Sequence, residues 1–105
     1  MQKYIAVHTY KTTGEETWKK LGEMAPDLAL AMEQGKTPAR CLTTWNPFTH
    51  GRSDMAFCLW EANNPKDVIT TLGALNDFIT TDLLQVDEIA WADVAKAAKA
   101  KLAAA

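Results

Sequence analysis

A chain of 105 residues, 48% apolar and 23% charged, has the balance of one globular domain and excludes an intrinsically disordered chain. Eleven basic against thirteen acidic residues leave a net charge of −2. No broad cationic field is available for phosphate backbones or anionic lipid, so neither nucleic acid nor a membrane is expected as a partner. No apolar run approaches a membrane span, and Met1-Gln-Lys-Tyr4 leads into an alternating pattern instead of a signal-peptide stretch. The expected setting is cytoplasmic.

Residues Tyr4 to Tyr10 alternate, with aromatic and β-branched members, and predict a first strand. Thr13-Gly-Glu-Glu16 has the spacing of a capping box. Trp18, Leu21, Ala25, Leu28 and Met32 then fall three and four apart, the stripe of an amphipathic helix. Pro26 interrupts that stripe and predicts a kink or two shorter helices; Gly35 is a C-terminal stop. Strands are expected over 40–46 and 54–62, joined across the turn-rich loop Asn46-Pro-Phe-Thr-His-Gly-Arg-Ser53. Asn64-Pro65 starts a second helix with the stripe Val68, Leu72, Leu75, Ile79. Alternation over 83–91 predicts a fourth strand, and 92–105 a helical tail. The order β-α-β-β-α-β plus a tail gives an α+β class, a ferredoxin-like single domain over 1–105 with a four-stranded antiparallel sheet and both helices on one face.

Alternation sorts the strand residues into two sets. Ile5, Val7, Leu42, Thr44, Met55, Phe57, Leu59, Leu84 and Val86 are almost pure hydrocarbon and are expected beneath the helices. The second set holds Tyr4, Ala6, His8, Tyr10, Cys41, Thr43, Trp45, Ala56, Cys58, Trp60, Gln85, Asp87 and Ile89. It is too aromatic for bulk water and too polar for a dry core. It is expected to line a partly enclosed pocket on the uncovered sheet face, closed by a second copy in a barrel-like homodimer.

In that pocket His8 is the expected acid/base, oriented by Asp87 from the last strand. Tyr4, Tyr10, Trp45, Trp60 and Gln85 are the expected walls for a small flat organic ligand. A hairpin symmetric about its loop sets Cys41 opposite Cys58, where three readings stand: two reduced thiols, a redox disulfide, or a soft-metal dithiolate. A row of Cys41, Cys58, His8 and Asp87 spans roughly 14 Å, so only three of the four can share an ion. His8, Cys41 and Cys58 are one such set. His50, in the long loop, is a candidate lid residue.

The element order, together with Val7-His8, the stretch Ala56-Phe-Cys-Leu-Trp-Glu-Ala-Asn-Asn-Pro65 and Gln85-Val-Asp-Glu-Ile89, resembles the dimeric α/β-barrel superfamily over most of residues 3–92. Some small relatives of that kind bind nickel through histidines. His8 matches their first-strand histidine, whereas Thr70, Thr71 and Leu72 stand where their second-helix histidine would be. The resemblance implies a homodimer that takes a small organic molecule, with or without a transition metal such as nickel at His8. The alternative it implies is a cofactor-free monooxygenase, cyclase or isomerase using His8 with Asp87.

Overall fold

The computed structural model describes residues 1–104. Strand β1 (Gln2–Tyr10) is followed by helix α1 (Gly14–Glu33), strand β2 (Ala39–Trp45), strand β3 (Met55–Ala62), helix α2 (Pro65–Leu72), strand β4 (Ile79–Val86) and helix α3 (Trp91–Ala104). Single 3-10 turns occupy Phe48–His50 and Gly73–Asp77. The four strands form one antiparallel sheet in the order β2-β3-β1-β4, so β1 lies between β3 and β4. This architecture is α+β and compatible with a ferredoxin-like fold.

Three boundaries differ from expectation. Pro26 does not break α1, which runs unbroken for 20 residues. The carbonyl that Pro26 leaves without a backbone donor is that of Gly22, on an exposed stretch of the helix where water can satisfy it. The second helix stops at Leu72, because Gly73 takes a positive φ of 54° and the chain tightens into the 3-10 turn. Ile79, expected on the helix stripe, therefore opens β4 instead. That strand starts earlier than its apolar alternation suggested and ends at Val86, so Asp87 and Ile89 lie outside the sheet.

The larger correction concerns sidedness. Tyr4, Ala6, His8, Ala56, Cys58 and Trp60, expected on the open face, are all buried. They pack with Val68, Leu72 and Leu75, and Leu21, Met24, Leu28 and Met32 of α1 close over them. The hydrocarbon set faces the other way: Ile5, Val7 and Phe57 are half-buried and Leu84 is 62% exposed. The polar character that argued against a dry core came largely from Gln85 and Asp87, and both lie exposed at or beyond the end of β4. The opposite face carries its own polar groups, with Arg40 paired to Glu61 at 3.0 Å and Lys3 to Glu88 at 2.8 Å.

Helix α3 stands clear of the body, with every described residue exposed. The radius of gyration of 16.7 Å accordingly exceeds the roughly 13 Å of a compact chain of this length.

The start of α1 follows local chemistry. The Thr13 hydroxyl accepts the Glu16 amide at 3.2 Å, one half of the anticipated capping box. Gly14 is buried where the β2–β3 loop crosses the helix start; a methyl group there would collide with the Ser53 carbonyl and the Phe48 ring. Gly22 has open space around its missing side chain. Gly14→Ala is therefore expected to destabilise the fold by about 1–3 kcal/mol. Gly22→Ala is expected to stabilise it by about 0.5–1 kcal/mol, because an interior helical glycine gains a better helix former. Urea unfolding of the two variants beside the parent checks the opposite signs.

Candidate functional site: a cavity between the first helix and the sheet

The stripe of α1 that faces the sheet interleaves bulky Trp18, Leu21, Leu28 and Met32 with Gly22, Ala25 and Ala29. The large residues set the distance of the helix from the sheet, and the small ones fail to fill the space between. A cavity of about 420 Å³ remains. Its floor is His8, Tyr10, Ala56, Cys58 and Trp60, and its side wall is the edge strand at Cys41 and Thr44. Gly22, Ala25 and Ala29 are exposed, as are Leu42, Thr43 and Thr44 facing them, so the mouth lies between α1 and β2. Among the described residues lining it, His8, Tyr10, Cys41 and Cys58 are the titratable groups, and no Lys, Arg, Asp or Glu is present.

Three polar atoms around this cavity are buried without a hydrogen-bond partner: Tyr10 Oη, Trp18 Nε1 and Trp60 Nε1. The Tyr10 and Trp18 rings meet edge to face with centroids 6.4 Å apart. Leaving a buried donor unpaired costs about 1–3 kcal/mol, so three around one apolar chamber call for an explanation.

His8 reaches the floor from the middle of β1, opposite Ala56 on β3 and Thr81 on β4. Its Nδ1 shares a 2.8 Å hydrogen bond with the Thr81 hydroxyl. Burial lowers its pKa from 6.5 to about 4, because the imidazolium would lose its hydration with no anion to replace it. The ring is therefore neutral near pH 7. The expected His8–Asp87 pair is not formed: Asp87 lies six residues beyond Thr81, about 20 Å along the chain. Thr81 takes the orienting position.

The two cysteines are free thiols. They are not directly opposite, because the loop is asymmetric and β2 bulges between Cys41 and Thr43. Cys41 pairs with Trp60 and Thr44 with Cys58. The bulge brings Thr44 to the same side as Cys41, and its hydroxyl lies 3.1 Å from Cys58 Sγ and 3.6 Å from Cys41 Sγ. Hydrogen bonding from the Cys58 thiol pulls the Cys41 pKa down, opposed by burial and aided by Thr44. The same bond, together with burial, pushes Cys58 up. Cys41 also donates its backbone N–H to Met32 Sδ at 3.2 Å, tying β2 to the end of α1.

The other anticipated ligand residues separate. Tyr10 and Trp60 line the cavity, while Tyr4 is core. Gln85 is exposed near the end of β4. The bulge turns Trp45 to the side of its partner Phe57, where it is 48% exposed. His50 is exposed in the 3-10 turn and does not line the cavity. Among the described residues no three His, Cys, Asp or Glu side chains are placed to hold a metal ion, so His8, Cys41 and Cys58 do not form the metal set expected of them. Trp18, Thr44 and Thr81 were not anticipated in the site. The sequence signal for the cavity was the run of Gly22, Ala25 and Ala29 within the helix stripe.

The chain matches no protein-family model, and no similar curated protein or solved structure was found. No helix among the described residues is long and apolar enough to cross a membrane.

The lowered His8 pKa carries a signed consequence. An unfolded chain protonates His8 as pH falls through about 6.5, and the folded chain only near 4, so stability is lost progressively over that window on acidification. The contribution is on the order of 3 kcal/mol. Urea unfolding of parent and His8→Gln at pH 7.5 and pH 4.5 is expected to show a larger acid loss for the parent.

Proposed function

We propose that the protein binds a small, flat, mainly apolar organic molecule carrying hydrogen-bond acceptor oxygens, of the aromatic ketone class, in the cavity beneath α1. The observation that carries this reading is the chamber itself, a space of about 420 Å³ lined by the donor-bearing side chains Tyr10, Trp18 and Trp60 among apolar residues and by no ionised group. A carbonyl oxygen accepts from such donors, and a chamber without ionised side chains favours a neutral ligand. The volume of about 420 Å³ suits one or two fused rings.

Titration calorimetry with 1-tetralone tests the reading. The parent chain is expected to bind it, with affinity reduced about three- to tenfold in Trp18→Phe, the magnitude of one lost neutral hydrogen bond. Ala25→Leu, which fills the chamber from the helix side, is expected to abolish the heat of binding while the fold persists. Binding unaffected by Ala25→Leu would place the ligand elsewhere.

A second reading, acid/base chemistry on the bound molecule, is favoured by one feature: a neutral imidazole on the cavity floor whose Nδ1 is anchored by Thr81. Under it, His8→Gln abolishes turnover of a bound ketone, such as exchange of its α-protons followed by NMR, while leaving affinity nearly intact.

The reading includes association of two copies. With the aromatic set buried under the helices, the surface left for a partner is the open sheet face, where Leu84 and Trp45 are exposed beside Ile5, Val7 and Phe57. Ile89, Trp91 and Leu102 add exposed apolar groups on and before α3. A two-fold dimer through this face is expected by light scattering at micromolar concentration, and Leu84→Lys is expected to give monomer.

A further inference from the structure

The Cys41–Thr44–Cys58 cluster is used by neither reading above. It has three features of a prepared nucleophile. First, Cys41 is half-buried on the cavity wall, whereas Cys58 is buried on the floor, so Cys41 is the sulfur nearer the mouth. Second, the β-bulge sets the Thr44 hydroxyl between the two sulfurs, at 3.6 Å and 3.1 Å, so that Thr44 can donate to a Cys41 thiolate while its oxygen accepts from the Cys58 thiol. Third, the Cys41 amide is held by Met32 Sδ at 3.2 Å, fixing the backbone that carries the sulfur. A disulfide suits the arrangement less well: Cys41 faces Trp60, so Cys58 is its diagonal neighbour, and diagonal positions lie about 7–8 Å apart, beyond what a disulfide spans without backbone movement.

We propose that Cys41 is a covalent capture site for α,β-unsaturated ketones that enter the cavity. The Cys41 thiolate attacks the β-carbon; the new C–S bond forms as the C=C π bond opens, and the electron pair moves to the carbonyl oxygen as an enolate. The enolate then takes a proton from water at the α-carbon, giving a thioether with no change in overall oxidation state. Trp18, Trp60 and Tyr10 line the same chamber and carry the N–H and O–H donors nearest to a developing enolate oxygen. Cys58 acts as hydrogen-bond donor and not as acid, because its pKa is pushed up. His8 and Tyr10 are the other titratable groups on the lining, and the residues of α1 that line the cavity are all uncharged.

This inference rests on the proposed ligand class, and the experiment separates the two. The full chain is incubated with benzylideneacetone at pH 7.5 and analysed by intact mass and peptide mapping; Cys41→Ser is titrated in parallel with 1-tetralone, which carries no electrophilic alkene. The expected result is one adduct per chain on Cys41, formed about tenfold faster than with glutathione because more thiolate is present, and none in Cys41→Ser. The near-isosteric Thr44→Val is expected to slow the alkylation and Thr44→Ser, which keeps the hydroxyl, to restore it, a rescue that a purely structural role for Thr44 would not produce. Binding of 1-tetralone by Cys41→Ser without any adduct on the parent overturns the capture site and leaves the ligand reading standing. Adducts on Cys58, or at the glutathione rate, also overturn it. Failure of both binding and alkylation overturns both.

Discussion

Antiparallel pairing of β1 with both β3 and β4 is the constraint on which the remaining structure depends. Because side chains alternate along a strand, placing Ala6 opposite Cys58 and Leu83 commits Tyr4, His8, Cys58 and Trp60 to one side together. The helices cover that side. A shift of one residue in the pairing would exchange it for Ile5, Val7 and Phe57 and leave neither a core containing Trp60 nor a chamber above His8. The register is held from both flanks, since β1 is an interior strand with hydrogen-bonded neighbours on each side.

The cavity follows from that commitment and from the composition of one helix face. A stripe of uniformly large residues would have filled the space between α1 and the sheet, whereas Gly22, Ala25 and Ala29 leave it open toward the edge strand β2. Dispersion contacts are lost wherever such space persists, so the opening has a cost in packing. The unpartnered Tyr10, Trp18 and Trp60 atoms add a second cost at the same place. Two destabilising features coincide in one chamber, and the proposed ligand reading accounts for both.

The electrostatics of the chamber reinforce the point. Its lining has no permanent charge, its imidazole is held neutral by burial, and its one easily ionised sulfur is supported by hydrogen bonds from a thiol and a hydroxyl instead of by a cation. Such a lining offers an ion no opposite charge, and its polar groups are an imidazole, a phenol, two indoles, two thiols and hydroxyls. The open sheet face has the opposite character, with hydrocarbon bounded at one end by the Lys3–Glu88 and Arg40–Glu61 pairs.

The order of strands and helices, the caps at Thr13 and Asn64, and the grouping of His8 with Tyr4, Tyr10 and Trp60 were legible in the sequence, because periodicity and capping are local properties. So was the company of Cys41 and Cys58, though not its geometry. Which face the helices cover was not legible, since a hydrocarbon set and an aromatic, thiol-bearing set both satisfy the alternation rule. Only tertiary contact with Leu28, Met32 and Leu72 decides between them. Asp87 was misplaced because a strand's end is set by where its partner stops pairing, and Thr44 was missed because a single inserted residue at the bulge reverses sidedness for the rest of β2. Local chemistry determined which groups this chain can bring to a site; long-range register, which no short window of sequence contains, decided where they meet.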